Sequence, residues 1–432
     1  MADDEPVIDA RAVRGEWKFI AIAAALCVPA ILLRADVFSI TVEVDTLLFG
    51  IAVLGAAFLL SWGAEVAQLD ISQSLAIAFL AFIAVLPEYA VALVFAWKAG
   101  AQDRVLAATG ALPTKCGAVA HHASACRDLA LANMTGSNRL LIGVGWAAVV
   151  LIWWRKSGNK SVELSGHRRT ELGFLLIASL WAFTIPMRGN VSFIDLFALG
   201  AIFVLYVWHA AAQESEEPEL IGPPLAIAAL GKRRRRIVTL VLFAFAAGVI
   251  LASAEPFADG LVATGERLGV DKFLLVQWLA PLASEAPEFV IAILFVLRSK
   301  PAAGLGTLVS SKVNQWSLLI ATIPLVYAIA RHGITPMSLN GRNVEEVFLT
   351  AAQSLFAIAV LANLSLGRGE ATVLLVTFLA QFGFESQAVR YGFSIFFILA
   401  AVTIAAAKRD NRIGLVSAMR AGLSRPGRRN SP

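Results

Sequence analysis

Charged residues are scarce in this sequence, since only 16% of its 432 residues are Asp, Glu, Lys or Arg, whereas 58% are hydrophobic. A soluble domain of this size needs considerably more polar surface to stay in solution. The formal net charge is +5, but the basic residues cluster in loops and near the C-terminus. The charge therefore does not indicate nucleic-acid binding, and the composition predicts a membrane protein.

Cysteine is also rare, because the chain has only three, and this number excludes a disulfide framework. Cys27 lies within an apolar run and is predicted to be a core thiol. Cys116 and Cys126 flank His121 and His122, but their spacing does not match a standard zinc pattern. A plain insertion, a periplasmic disulfide and an adventitious metal site are left open for this loop.

Motifs of the common enzyme classes are missing as well. The sequence contains no Gly-rich phosphate loop, no metalloprotease motif and no Ser/His/Asp arrangement. We therefore expect a protein that is not an enzyme and that holds no cofactor beyond a transported cation.

Long apolar runs dominate what is present. Many of them reach about 20 residues, the length of a transmembrane helix, and they lack the strict alternation typical of a membrane β-barrel. The sequence therefore predicts an all-α integral membrane protein with about twelve transmembrane helices. The predicted spans lie near residues 17–33, 44–67, 73–98, 129–154, 170–187, 191–212, 237–260, 273–297, 304–330, 345–366, 370–387 and 389–407.

The distribution of Lys and Arg predicts the orientation. With the N-terminus inside, most basic residues fall in inside segments, including the run Lys232–Arg236 and the tail from Lys408 to Arg429. We therefore expect a multi-pass protein of the plasma (inner) membrane with both termini cytoplasmic. Its expected partners are the lipid bilayer and inorganic cations, without nucleic acid, and the sequence leaves the oligomeric state open.

The sequence repeats itself. The segment Pro87–Lys98 (PEYAVALVFAWK) matches Pro287–Arg298 (PEFVIAILFVLR) in Pro, Glu, Ala and Phe, and most other positions are similar. The order continues at an offset of 175, which pairs Glu171 with Glu346 and Asp195 with Glu370. Each copy holds five predicted spans, and because five is odd, the second copy enters the membrane from the opposite side. Inverted repeats of this kind are typical of secondary transporters.

This repeat divides the chain into five predicted parts. The duplicated copies are residues 44–213 and 237–387, joined by a cytoplasmic basic linker at 214–236. Residues 1–43 hold an additional first span, and residues 388–432 hold the last span and a basic cytoplasmic tail.

Three glutamates are the strongest candidates for chemistry. Glu88 lies in the predicted third span, and Glu285 and Glu288 lie in the eighth, where a charge costs about 2.5–3.5 kcal/mol. Pro87 and Pro287 precede two of them and remove a helical hydrogen bond, so each helix is expected to open just before its glutamate. Carboxylates with freed carbonyls form a hard-oxygen site suited to Na⁺ or Ca²⁺.

Small polar residues fill the following span of each copy. The first copy reads ANMTGSN over 132–138, and the second reads GTLVSSKVNQ over 306–315. Ser310 and Asn314 share a helix stripe, and Ser284 lies one turn before Glu288. The alternative is that such residues only join helices. Arg139 and Lys312 add positive charge beside the glutamates, either as charge compensation or as partners in structural ion pairs.

The two Pro-Glu motifs, each followed by a Gly/Ser/Asn helix, resemble the alpha-repeats of the sodium/calcium exchanger superfamily of cation antiporters over about residues 44–387. The resemblance implies that Glu88 and Glu288 are the central ion ligands. It also implies further ligands among the Asn, Ser and Thr residues that follow, and the placement of Asn314 opposite Asn138 is ambiguous. These implied ligands are Asn133, Ser137, Asn138, Thr307, Ser310 and Ser311.

The sequence departs from the family pattern at both motifs. Hydroxyl residues are missing before Leu86, and Glu285 stands where the family has Ser. A lysine near Glu285 is expected to act as a built-in cation and to reduce the number of bound ions. Crowded carboxyl groups in a low-dielectric site also retain protons, which then compete with metal ions.

We therefore expect a secondary antiporter that exchanges Na⁺ or Ca²⁺ against H⁺ (or Na⁺) by alternating access. The alternative is a membrane scaffold or ion sensor of the same fold that binds an ion without transporting it. Transport requires both copies to keep water-accessible polar faces, whereas a scaffold tolerates one sealed half.

Overall fold

The protein is described by a computed structural model that covers residues 10–70, 86–110, 125–212, 220–381 and 386–423, and these residues are almost entirely helical. Ten of the described helices are long and apolar enough to cross a membrane. They are Gly15–Arg34, Val42–Ala67, Cys126–Ser157, Arg168–Arg188, Phe193–Ala211, Lys232–Leu268, Lys272–Leu297, Pro301–Arg331, Gly341–Leu361 and Gln387–Ala407. The all-α membrane architecture is confirmed.

The elements of the first half run in chain order from α1 to α8. They are α1 (Ala10–Arg34), α2 (Val42–Ala67), α3 (Leu86–Thr109), α4 (Ala125–Leu140), the π-helical segment π1 (Leu141–Trp146), α5 (Ala147–Ser157), β1 (Ser161–Glu163), α6 (Arg168–Ala182), α7 (Thr184–Arg188), β2 (Asn190–Val191) and α8 (Phe193–Ala211).

The second half continues from α9 to α17. Its elements are α9 (Pro223–Ala228), α10 (Lys232–Leu268), α11 (Lys272–Leu297), α12 (Pro301–Asn314), π2 (Gln315–Leu319), α13 (Ile320–Arg331), β3 (Met337–Ser338), α14 (Gly341–Leu361), β4 (Ser365–Gly367), α15 (Arg368–Ala380), α16 (Gln387–Ala407) and α17 (Arg409–Leu423).

Ten of the twelve predicted spans coincide with these membrane-length helices. The predicted third span, 73–98, is described only from Leu86 onward, and the predicted eleventh, 370–387, is described as α15 and lies partly outside the described residues. Helix α10 extends well beyond the predicted 237–260 at both ends, because an apolar-run criterion stops where polar helical turns begin. Helix α17 was not predicted for the same reason.

Two short strand pairs show how the halves are related. Strand β1, before α6, pairs with β4, after α14, while β2, after α6, pairs with β3, before α14. Since α6 and α14 are the repeat-matched helices that carry Glu171 and Glu346, exchanging the two copies exchanges the two strand pairs. The pairs lie at opposite ends of α6, as inverted topology requires. The inverted repeat is therefore confirmed.

Contrary to expectation, the prolines do not open the helix that carries Glu285 and Glu288. Helix α11 continues unbroken from Lys272 to Leu297 with Pro281 and Pro287 inside it, so the predicted opening before Glu288 is wrong for this copy. Each proline removes one hydrogen bond, but neighbouring helices in a bundle hold the chain in helical form. For the first copy, the residues before Leu86 lie outside the described part. The helical irregularity lies instead in π1 and π2, on the spans that follow the Pro-Glu helices.

The two cysteines among the described residues are in different chemical states. Cys27 is a free, fully buried thiol that contacts the carbonyl oxygens of Ala23 and Ala52, which confirms the core position. Cys126 is disulfide-bonded. Of the alternatives, a disulfide is therefore the one that the structure supports at Cys126, while Cys116, His121 and His122 lie outside the described residues.

Helices α4 and α11 approach so closely that one contact leaves no space for a side chain. A Cβ atom on Gly136 would lie 1.7 Å from the carbonyl oxygen of Gln277. That carbonyl is the one whose helical partner is removed by Pro281, four residues later. Small residues at such crossings allow close helix packing in lipid.

We expect Gly136→Ala to destabilise the protein by about 1–3 kcal/mol, because the backbone of α11 has to move away from the new methyl group. Thermal unfolding of the purified protein in detergent measures this effect. Gly248→Ala in α10 is the matched control, since a Cβ there meets nothing within 4 Å. The control is expected to be neutral or slightly stabilising, and an equal loss in both variants would contradict the packing argument.

Candidate functional site

Two helices, one from each copy, place three glutamates together in the interior. Glu88 lies in the first described turn of α3, and Glu285 and Glu288 lie one turn apart in the middle of α11. Their exposed fractions are only 2%, 2% and 7%. Desolvating three carboxyl groups in a membrane protein is costly, so the site must supply protons, cations or hydrogen-bond donors.

The carboxyl groups interact with one another. Glu88, Glu285 and Glu288 lie close enough for their carboxyl groups to interact electrostatically. Ionised carboxylates in such a group repel one another, and a proton on one of them relieves the repulsion. This arrangement therefore suits a group of acids that exchange protons.

Each copy also contributes one side chain that donates a hydrogen bond to a glutamate. Ser137 Oγ on α4 donates to Glu88 Oε1, and Gln315 Nε2 on π2 donates to Glu285 Oε1. Oε2 of Glu88, Glu285 and Glu288 is buried and has no nitrogen or hydroxyl donor among the residues that the structure describes. These oxygens are the atoms left to bind a cation or a proton.

Lys312 is fully buried in α12 and faces the same cluster. Its Nζ donates to Asn138 Oδ1 at 2.7 Å and to the main-chain oxygen of Asn138 at 3.2 Å. The ammonium also lies 4.4 Å from the ring centroid of Trp316, and it interacts electrostatically with Glu88 and Glu285. The structure therefore places Lys312 beside these glutamates.

Other predicted ligands have mixed surroundings. Asn133 is fully buried, and neither atom of its amide has a partner within the described ranges. Asn314 Oδ1 accepts a hydrogen bond of 3.3 Å from Tyr89. Ser284 Oγ donates to main-chain oxygens of its own helix, and Ser311 Oγ has no partner in the part of the chain that the structure describes.

Two predicted residues lie in other contacts. Ser310 Oγ donates to Glu171 at 3.0 Å and accepts from Arg168 at 3.1 Å, which joins α12 to α6. Arg139 is paired with Glu346 of α14. The structure thus brings neither residue to a direct contact with the three glutamates, and the expected charge compensation from Arg139 acts on Glu346 instead. Thr307 Oγ1 donates to its own helix.

These contacts form a second, symmetric pair of carboxylates that the sequence indicated only as repeat matches. Glu171 binds α12 through Ser310, and Glu346 binds α4 through Arg139. Gln277 of α11 also donates to Glu346 at 2.9 Å. Each carboxylate pairs with an arginine, Glu171 with Arg168 and Glu346 with Arg139, and each joins a helix of one copy to a helix of the other.

Sequence reasoning missed Gln315, Tyr89 and Gln277 as parts of the polar interior. Gln315 and Gln277 are polar residues inside apolar spans, and that signal was available for both. Tyr89 follows Glu88 directly, but a helix pattern alone does not tell which neighbouring helix it reaches.

The π segments place the polar residues of α4 and α12. Each begins within a few residues of the polar run, at Leu141 in one copy and at Gln315 in the other. Such bulges shift the helix face that points inward and often mark functional sites. Within the described ranges, no three His, Cys, Asp or Glu side chains are close enough to enclose a metal ion as they stand.

Comparisons with known proteins agree with this architecture. The sequence model of the family described as sodium/calcium exchanger protein matches residues 46–212 and 238–387. A solved structure described as the H⁺/Ca²⁺ exchanger CAX is 39% identical, with a TM-score of 0.86 over 95% of this chain and 98% of that chain.

More distant structures share the fold. The Ca²⁺/H⁺ antiporter protein YfkE is 15% identical, with a TM-score of 0.59 over 89% of this chain and 99% of that chain. The sodium-calcium exchanger NCX_Mj is 17% identical, with a TM-score of 0.51 over 80% and 99%. A comparison with curated protein sequences gives no match.

Proposed function

Because this chain belongs to the sodium/calcium exchanger protein family and is a cation antiporter, we propose that it exchanges Ca²⁺ for H⁺. The observation that carries this choice is the buried group of three carboxyl groups from both copies, with Oε2 of each left without a donor among the described residues. Carboxylate and amide oxygens are the ligands that Ca²⁺ prefers.

The same oxygens are also proton acceptors. A carboxyl group has to lose its proton to bind a metal ion, so proton release and cation binding are linked at one place. Glu88, Glu285 and Glu288 are the proposed exchange groups, with Ser137 and Gln315 holding two of them in position. The 39% identical relative is described as an H⁺/Ca²⁺ exchanger, which supports the same pair of ions.

The mechanism that we propose is alternating access. The site is built from α3 and α4 of one copy and from α11, α12 and π2 of the other, so a relative movement of the copies exposes it to either side in turn. Water-accessible polar faces were expected of both copies in a transporter. Both copies do contribute polar groups here, whereas a scaffold would tolerate one sealed half.

For the orientation, we propose cytoplasmic termini in a plasma (inner) membrane. The basic run Lys232–Arg236 and the basic helix α17 then face the cytoplasm. The disulfide at Cys126, at the start of α4, falls on the opposite side. Disulfides persist in oxidising compartments outside the cytoplasm, which supports this assignment.

The test uses proteoliposomes that contain the purified protein and an acidic lumen. Ca²⁺, Na⁺ or K⁺ is added outside in turn, while lumenal pH and ⁴⁵Ca²⁺ uptake are followed. We expect only Ca²⁺ to raise lumenal pH, with simultaneous uptake of the isotope, and protein-free liposomes serve as the control. Proton movement driven by Na⁺ or K⁺ instead, or Ca²⁺ uptake that needs a Na⁺ gradient, would contradict Ca²⁺/H⁺ exchange.

A further inference from the structure

Lys312 has the surroundings of a bound cation. Its Nζ is fully buried and is held by two oxygen atoms of one residue, Oδ1 and the main-chain oxygen of Asn138. The indole of Trp316 covers the ammonium at 4.4 Å, which adds a cation–π interaction. Oxygen atoms with partial negative charge and a carboxylate nearby are the same groups that hold a monovalent metal ion.

The lysine therefore occupies ligands that the family resemblance assigns to an ion. Asn138 is one of the implied cation ligands, but its side-chain oxygen is already bound to Nζ, and its Nδ2 donates to the main-chain oxygen of Met134. In contrast, the Asn133 amide has no partner among the described residues. The site is thus divided between a part filled by the ammonium and a part that holds the Oε2 atoms, and Asn133 lies one helical turn from Ser137 on α4.

This division determines the net charge that a bound cation has to neutralise. When Glu88, Glu285 and Glu288 are all ionised, the three carboxylates and the one ammonium leave a net charge of −2 in a low-dielectric interior. One Ca²⁺ neutralises this charge completely. Without the lysine, the same carboxylates would leave a net charge of −3, which one Ca²⁺ and one monovalent cation would neutralise. Uncompensated charge in such surroundings is costly.

We propose that Lys312 is a specificity-determining residue, a tethered monovalent cation that fills the Asn138 position and so keeps Na⁺ out of the site. This inference rests on the proposed Ca²⁺/H⁺ exchange. It assigns the selectivity for Ca²⁺ alone, rather than Ca²⁺ together with Na⁺, to a covalently attached charge. Removing the charge should let Na⁺ bind beside Asn138 and compete or co-operate with Ca²⁺.

Lys312→Gln removes the charge and keeps a polar side chain, Lys312→Arg keeps the charge, and Lys98→Gln is the matched control. Lys98 is a lysine of α3 that pairs with Glu255 and Asp259 of α10, outside the cluster. Each variant is reconstituted, and pH-driven ⁴⁵Ca²⁺ uptake is measured with and without saturating Na⁺. Binding of ²²Na⁺ to the purified variants in detergent is measured in parallel.

Wild type, Lys98→Gln and Lys312→Arg are expected to be insensitive to Na⁺ and to bind no ²²Na⁺. Lys312→Gln is expected to bind ²²Na⁺ and to show a Na⁺-dependent change of about tenfold in its apparent affinity for Ca²⁺, the equivalent of about 1.4 kcal/mol. If Lys312→Gln no longer transports, ²²Na⁺ binding alone tests the role of the lysine, since binding does not require turnover.

A folded Lys312→Gln protein that binds no ²²Na⁺ and remains insensitive to Na⁺ would overturn the inference. So would wild-type protein that binds ²²Na⁺ at the site. If wild type shows no pH-driven Ca²⁺ uptake at all, the proposed exchange itself fails, whereas wild-type uptake with an unchanged Lys312→Gln rejects only the role of the lysine.

Discussion

Replacement of Glu88 or Glu288 by Gln is expected to reduce pH-driven Ca²⁺ uptake by at least about 100-fold, the rate equivalent of about 2.7 kcal/mol. Each substitution keeps the shape of the side chain but removes both its charge and its exchangeable proton. The site then loses a Ca²⁺ ligand and a proton carrier at once. Initial rates of ⁴⁵Ca²⁺ uptake in proteoliposomes, normalised to the amount of reconstituted protein, measure the effect.

Glu255→Gln is the matched control for this prediction. Glu255 lies on α10, its side chain is 57% exposed, and it pairs with Lys98 at 3.5 Å. Exposed ion pairs contribute little, so uptake should stay close to that of wild type. Either site variant with near-normal uptake would remove that glutamate from the proposed exchange, and an equal loss in Glu255→Gln would indicate a general effect on folding.

The second large effect concerns the ion pair of Arg139 and Glu346, which joins α4 to α14. The two side chains are only 3% and 4% exposed, and Arg139 also stacks on Trp278, with 4.8 Å from its guanidinium carbon to the ring centroid. We expect Glu346→Gln to destabilise the protein by about 3–5 kcal/mol, because it leaves a buried arginine without its carboxylate. Thermal unfolding in detergent measures the loss.

The double variant Arg139→Gln/Glu346→Gln tests whether the two side chains interact directly. Removing both charges removes the unpaired buried charge, so the double variant should recover much of the loss of the single variants. Such non-additivity is the signature of a direct interaction. If the losses of the two single variants simply add in the double variant, the two side chains do not form the pair that the structure shows.

Most of the fold was predicted from two features of the sequence, its apolar runs and its internal repeat. A run of apolar residues predicts a span because an exposed peptide group in hydrocarbon is too costly, and an odd number of spans per copy predicts inverted topology. Neither signal reports polar helical turns beyond the hydrocarbon. That is why the ends of α10 and the whole of α17 were missed. The buried face of α17 consists mainly of small residues, including Gly414 and Ala418, which do not register as an apolar run.

For the candidate site, the sequence predicted the three glutamates but not their partners on other helices. Glu88, Glu285 and Glu288 stood out because a carboxyl group inside a span is expensive, and the structure brings all three together. Partners on other helices were not predictable, because spacing gives a helix face but not the neighbour of that face. Ser310 and Arg139 therefore lie against Glu171 and Glu346.

The local backbone was also beyond the sequence argument. A proline in a helix removes one hydrogen bond, but the packing around α11 decides whether the helix opens. In α11 it does not open at Pro287. The π segments on the facing spans carry no comparable sequence signal, since they mix apolar residues such as Leu141 and Leu319 with the polar residue Gln315.

The most direct test of the account is the reverse reaction, in proteoliposomes loaded with Ca²⁺ at equal pH on both sides. After dilution into Ca²⁺-free buffer, the outward Ca²⁺ gradient is the only driving force. Coupled exchange predicts that the lumen acidifies as Ca²⁺ leaves, that a proton ionophore collapses this pH difference, and that Glu285→Gln abolishes it. Ca²⁺ efflux at constant lumenal pH, or acidification that persists in Glu285→Gln, would contradict exchange of Ca²⁺ and H⁺ at these carboxyl groups.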